Sequence, residues 1–186
     1  MVPSLRPSAE RGNHQNEAMA NRRAEEPLPG MGLDVEQQRA WLAYMRVNLE
    51  FTYEMNHQLL AESELSLSDY HVLSKLHQAP DRRLRISTLA REIGWERSRA
   101  SHQVGRMTQR GLIDTERATD DKRGTEVTVT DRGTRAFRDA RRGHVALVQD
   151  LFFRGLREDL LAPLTEALEH VYTNIVERGS GHPGTA

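Results

Sequence analysis

The chain has no cysteine among its 186 residues. A disulfide framework, a thiolate zinc site and a thiol-based redox sensor are therefore excluded. Aromatic residues are scarce, at 5% of the total. No apolar run approaches the roughly 20 residues of a membrane-spanning helix, and the N-terminus lacks the continuous apolar segment of a secretory signal. The sequence thus reads as a soluble, cytoplasmic protein with no membrane partner. Lysine is nearly missing too: Lys75 and Lys122 are the only two among 26 basic residues. No Ser-His-Asp spacing, paired-carboxylate context or glycine-rich phosphate loop points to an enzyme, and no cofactor is implied. The histidines assemble no metal set: His71 and His77 are six apart and do not share a helix face, while His57 and His144 stand alone.

What is present is charge, and its distribution matters more than its total. Charged residues are 28% and hydrophobic residues 37% of the chain. A core can form, but the balance suits an elongated or oligomeric protein that buries further apolar surface against a partner. The formal net charge is −1. Between Asp81 and Arg123, however, eleven Lys or Arg stand against seven Asp or Glu, a local +4 that leaves −5 elsewhere. A basic middle with acidic flanks suits a domain that meets a polyanion on one face.

The length suits one domain with tails. Residues 1–33 carry Pro, Gly, Asn and charge with little apolar periodicity and read as a flexible N-terminal arm. Residues 179–186 form a second tail. A helix is expected from Asp34, an N-cap with Gln37 as its capping-box partner, to about Glu62. Its wide apolar surface suits a dimer interface, the alternative being an ordinary core helix. Ser68 is expected to cap a second helix that ends before Pro80. Ile86 adds a short strand, and Ser87 caps a third helix with Leu89, Ala90 and Ile93 inward. Gly94 stands where a left-handed residue is needed, and a fourth helix runs from about Glu96 to Gly111. Two strands, Leu112–Arg117 and Thr125–Thr130, then flank a charged loop in which Gly124 lets the chain turn. Two C-terminal helices follow Asp131, separated at Gly155, with Pro163 expected in the first turn of the last. The fold class is mainly α with a small β-wing: a winged helix-turn-helix region (68–133) between N-terminal (34–62) and C-terminal (134–178) dimerisation helices.

The run "LAREIGWERSRASHQVGRMTQRGLIDTERATDDKRGTEVTVTDRG" resembles the MarR family of bacterial transcription regulators. The family's helix pair leads into a wing carrying D-x-R and then LT-x-x-G. Here those positions read Asp121-Lys122-Arg123 and Val129-Thr130-Asp131-Arg132-Gly133, with valine replacing the usual leucine. The resemblance spans about residues 34–178. It implies a homodimer that binds a palindromic operator in double-stranded DNA, most often as a repressor, with DNA affinity altered by a small molecule.

The fourth helix should enter the major groove. With Ala100, Val104 and Met107 inward, the DNA-facing candidates are Arg97, Ser98, Arg99, Ser101, His102 and Arg106. Arginine can bond guanine bidentately or pair with phosphate, and short hydroxyls can reach either. For Arg106 the resemblance favours a DNA contact. If His102 meets DNA, its protonation should strengthen binding as the pH falls toward about 6; the alternative is a solvated surface histidine. Arg123 is the expected wing tip in a minor groove, with Asp121 pairing with an arginine to hold its direction. An effector site, for a phenolic or anionic small molecule, would involve Trp41, Tyr44, Arg46, His57, Tyr70 and Trp95. The alternative for these aromatics is packing in the core or dimer interface. The competing reading of the whole chain is an architectural or ligand-independent DNA-binding protein without an effector, which a basic chain would suit better than one at −1. A protein-interaction module or an enzyme on the same scaffold is the third.

Overall fold

The computed structural model describes residues 32–118 and 124–179. The chain divides into two units, Met1–Phe51 and Thr52–Ala186. Helix α1, Val35–Ser63, carries the boundary within its length. In the first unit, Asp34 Oδ1 accepts the Gln37 amide at 2.8 Å and the Asp34 amide donates to Gln37 Oε1 at 3.2 Å. This reciprocal pair satisfies two groups that a helix start would otherwise leave unpaired. Trp41, Tyr44, Val47 and Leu49 stand exposed along this half of α1.

The second unit holds the remaining elements. Helix α2 spans Leu67–Gln78, and its N-cap is Ser66 rather than Ser68. The box closes with Asp69, which lies three residues after Ser66, the spacing at which side chain and backbone can reach each other. A short 3-10 turn, Pro80–Arg82, leads into strand β1, Arg83–Arg85. Ile86 is not in the strand: it opens helix α3, Ile86–Ile93. Ser87 accordingly lies inside α3, whose start has no side-chain cap. Helix α4 spans Arg97–Gln109, β2 Ile113–Arg117 and β3 Thr125–Val129. The sheet order is β1-β3-β2, all antiparallel, with Leu84 opposite Val127 and Ile113 opposite Val129. β3 is thus the central strand, and its Val127 is fully buried.

Helix α5, Asp131–Leu147, continues into a π-helical segment, Val148–Phe153, before the turn at Gly155. Helix α6 covers Glu158–Arg178, so Pro163 is its sixth residue and lies beyond the first turn. A proline there removes one intrahelical hydrogen bond. The core gathers Leu73 and Leu76 of α2, Leu89 of α3, Met107 of α4, Ile113 and Val127 of the sheet, and Phe137 of α5. Gly133 explains the glycine of the wing signature. A Cβ there would lie 2.0 Å from the Leu112 carbonyl oxygen. That oxygen is fixed by the Thr130 amide at 3.2 Å and the Thr130 hydroxyl at 3.1 Å. Thr130 Oγ1 also accepts the Gly133 amide at 3.0 Å, capping α5.

Candidate nucleic-acid interface

The turn between α3 and α4 begins at Gly94, with φ 72° and ψ 33°. This left-handed conformation strains any residue with a Cβ. The Trp95 amide reaches back to the Ala90 carbonyl at 2.8 Å, the long bond of a Schellman ending. Trp95 is thereby sunk into the core. Helix α4 then buries Ala100, Gln103, Val104 and Met107, recurring at three- and four-residue steps. The opposite face is forced outward: Arg97, Ser98, Arg99, Ser101, His102 and Arg106 are all exposed. Six of the expected DNA-facing residues therefore share one exposed helical surface.

The first turn of α4 holds Arg97 and Arg99 and no acid. Helix N-termini carry partial positive charge, so two arginines there oppose the helix's own dipole. That arrangement costs local stability and favours an anion, since free amide groups, dipole and guanidinium groups have the same preference. The Arg99 guanidinium lies 4.6 Å from the centre of the Trp95 ring, a distance suited to cation–π attraction. The Ser101 hydroxyl donates to the Arg97 carbonyl at 2.9 Å.

The wing closes at its base through the Ala118 amide and the Gly124 carbonyl, 3.0 Å apart. Asp121 and Arg123 lie outside the described residues. Between the wing base and α4 lies a cleft of about 320 Å³ lined by Arg85, Ile86, Ser87, Arg97, Ser101, Gly124 and Thr125. It brings two of the expected residues, Arg97 and Ser101, against the wing. A second cleft of about 620 Å³ lies along β1, lined by Pro80, Asp81, Arg83, Leu84, Arg85 and Glu126. There Arg83 pairs with Glu126 at 2.9 Å and approaches Glu116 at 3.7 Å.

The residues expected at an effector site are found in separate settings. Trp41 and Tyr44 touch within the first unit, with ring centres 5.6 Å apart, and Arg46 is exposed there. His57 stacks on Tyr53 at 6.1 Å. Trp95 belongs to the helix-turn-helix core, and neither cleft above is lined by any of the six. Tyr70 packs against Phe137 at 5.1 Å and His144 at 4.3 Å. Burial raises the pKa of its hydroxyl, an effect that the Arg141 charge opposes.

His144 therefore does not stand alone. Burial, then the neighbouring His71, pushes its pKa below the ordinary histidine value. Its Nδ1 is buried with no hydrogen-bond partner among the described residues. His71 keeps an exposed edge, yet partial desolvation lowers its pKa first, followed by the charges of Arg99 and Lys75. His77 stacks on Phe137 at 4.4 Å, on the same α2–α5 seam. No cluster of three potential metal ligands occurs among the described residues, and no helix there is long and apolar enough to cross a membrane.

Two polar residues escaped the sequence reading. Asp69 is 2% exposed and Gln103 3% exposed. Gln103 donates to Asp69 Oδ1 at 2.6 Å, and Arg110 donates to Asp69 Oδ2 at 2.7 Å. Their signal was a polar residue on an otherwise apolar stripe: Asp69 beside Tyr70 and Leu73, and Gln103 beside Ala100, Val104 and Met107.

A helix-turn-helix with an antiparallel wing, presenting a basic face, defines a winged-helix DNA-binding protein. The family model for the MarR family matches residues 65–125. Among solved structures, the chain is similar to Sco3205, a MarR family transcriptional regulator from Streptomyces coelicolor determined in complex with DNA. The two share 30% identity over 81% of this chain and 92% of that one, with a TM-score of 0.74. AbsC, another MarR family regulator from Streptomyces coelicolor, shares 29% identity over 78% of this chain and 98% of its own, with a TM-score of 0.73. CouR from Rhodococcus jostii RHA1, solved bound to p-coumaroyl-CoA, shares the fold at 20% identity, covering 69% of this chain and 88% of that one, with a TM-score of 0.60. No curated protein sequence matches the chain. The chain belongs to the MarR family of transcriptional regulators. It is a DNA-binding regulator and not an enzyme.

Proposed function

We propose that the chain is a homodimeric, sequence-specific repressor that reads a palindromic operator and is released by a small phenolic or anionic molecule. The observation that carries the reading is the exposed polar face of α4, rigidly backed by Ala100, Val104 and Met107. Arg97, Ser98, Arg99, Ser101, His102 and Arg106 would meet base edges and phosphates, and Arg123, aimed by Asp121, would enter the minor groove from the wing. The cleft between α4 and the wing base is a natural seat for the backbone between the two grooves.

Dimerisation is supported by α6, which buries none of its 21 residues. It exposes Leu160, Leu161, Leu168, Val171, Tyr172 and Ile175. A continuous apolar face of this kind fits contact with another protein surface, and a two-fold dimer places two recognition helices about 34–36 Å apart on successive major grooves. The DNA-bound Sco3205 supports the nucleic-acid partner. A ligand acts only to the extent that it prefers the domain spacing that does not fit DNA.

The test is selection of bound duplexes from a random-sequence library, followed by affinity measurements at one salt concentration. A preferred palindrome bound at least about a thousandfold tighter than random DNA supports the reading. A ratio near one supports a non-specific architectural protein instead. Screening phenolic acids and other small anions for release of the selected duplex then tests the effector.

A further inference from the structure

Asp69 accepts four hydrogen bonds in a position almost closed to water. Oδ2 receives the Ser66 amide at 2.8 Å, the Ser66 hydroxyl at 2.9 Å and Arg110 Nη1 at 2.7 Å, while Oδ1 receives Gln103 Nε2 at 2.6 Å. The other end of Arg110 donates to the Glu64 carbonyl. An ionised carboxylate only accepts, and every one of these four partners donates to Asp69. The orientation of the Gln103 amide is therefore not free. Its NH₂ must face Asp69, so its carbonyl oxygen must face the other way. There it accepts a hydrogen bond from Arg106 Nη2, one turn along α4.

We infer that Asp69 and Gln103 are positioning residues that hold the Arg106 guanidinium ready for DNA. The order of polarity is forced from the interior outward: a buried carboxylate fixes an amide, and the amide fixes a cation at the exposed face. Arg106 has five N–H donors, and the contact with Gln103 leaves the others for a guanine edge or a phosphate. An arginine restrained before binding loses less rotamer freedom when it binds. The arrangement thus favours recognition without adding a contact to DNA. Among the described residues it also sets Arg106 apart from Arg97, for which no such tether from beneath occurs there. This inference rests on the reading of Arg106 as a DNA contact.

The test is a double-mutant cycle between Gln103→Met and Arg106→Ala, measured on the duplex selected from a random-sequence library and on random duplex. Gln103→Met preserves volume, every charge and the Asp69–Arg110 pair. It is expected to weaken binding to the selected duplex about tenfold, the order expected for freeing one arginine side chain. Its effect on random duplex should be less than about twofold, because the charge is unchanged. In the Arg106→Ala background, Gln103→Met should have almost no further effect. Equal loss in both backgrounds, or no loss with Arg106 present, overturns the positioning role. Arg106→Ala leaving the selected duplex bound at full affinity overturns instead the assignment of Arg106 to DNA, and the two failures are thereby distinct. If Gln103→Met lowers the thermal midpoint, Gln103→Asn replaces it. That variant keeps the amide but is one methylene too short to span from Asp69 to Arg106, and the same cycle decides.

Discussion

Helices α4 and α6 use their apolar residues in opposite ways. α4 has 13 residues and turns its inward stripe, Ala100, Val104 and Met107, entirely into its own chain. What remains outside is polar and largely basic. α6 has 21 residues and buries none of them, leaving Leu168, Val171 and Ile175 in the open. One helix is complete as protein and unfinished only in its charges, so the partner it fits is a polyanion. The other is unfinished in its apolar surface, so the partner it fits is another protein face, supplied most simply by a second copy. The difference separates the two tasks proposed for the chain, reading DNA and dimerising, onto two of its parts.

The largest expected effects lie in the winged region. Gly133→Ala places a Cβ against the Leu112 carbonyl, which cannot retreat without breaking its bonds to Thr130. Leu76→Ala empties a fully buried site. Each should lower unfolding free energy by about 3 kcal/mol or more, measured by urea titration. Matching truncations on α6, such as Leu168→Ala, should shift the unfolding of an isolated monomer by less than about 0.5 kcal/mol. A large monomer effect at Leu168 would break the contrast.

Next comes assembly. The double variant Tyr172→Glu with Ile175→Glu puts two charges on the open face of α6. It should convert a dimer to monomers in sedimentation while the circular-dichroism spectrum of the winged region persists. The wild-type melting temperature should rise with protein concentration and that of the variant should not. A wild-type protein that sediments as a monomer would remove the proposed role of α6.

Smaller effects concern the wing. Arg123→Ala should weaken binding to all duplexes and reduce the salt slope by about one phosphate contact. Asp121→Ala should also weaken binding, although it removes a negative charge, because an arginine loses its guide. Tighter binding by that variant would refute the pairing.

The smallest effect is a pH dependence of folding. The native pKa of His144 lies below its unfolded value, chiefly through burial. Below about pH 6.5 the unfolded chain therefore takes up a proton that the native His144 refuses. Stability is fully present above that pH and is lost as the pH falls through the lowered native pKa. His71 contributes with the same sign. His144→Gln should flatten the fall in stability between about pH 7 and pH 5, followed by urea titration at each pH. An unchanged slope would show that His144 is not the linked group.

Legibility in the sequence followed the range of the interactions. The Asp34–Gln37 box, the left-handed Gly94 and the inward stripe of α4 depend on residues within four positions of one another, and local pattern exposes them. The capping of α2 was equally local, but "ELSLSD" offers both Ser66 and Ser68, and only Ser66 has an acid three residues on. β1 was misplaced because Arg83–Arg85 has no strand pattern of its own. It is extended because β3, more than 40 residues later, supplies its hydrogen bonds. Pro163 was misplaced because α6 begins earlier than the spacing from Gly155 suggested. The Asp69–Gln103–Arg106 chain joins α2 to α4 across 34 residues, and no local spacing rule reports it. The family resemblance supplied what periodicity could not, the meaning of a wing signature whose Asp121 and Arg123 lie outside the described residues.

The central claim is that the exposed face of α4 reads sequence while the rest of the basic region supplies general affinity. The most direct measurement compares the wild-type protein on its selected palindrome and on random duplex, at one salt concentration, with Ser98, Arg99 and His102 then replaced together by alanine. The account predicts at least about a thousandfold preference in the wild type, and its collapse in the triple variant with random-duplex affinity reduced only by the lost Arg99 charge. A preference that survives the triple substitution intact would place sequence reading elsewhere and contradict the account.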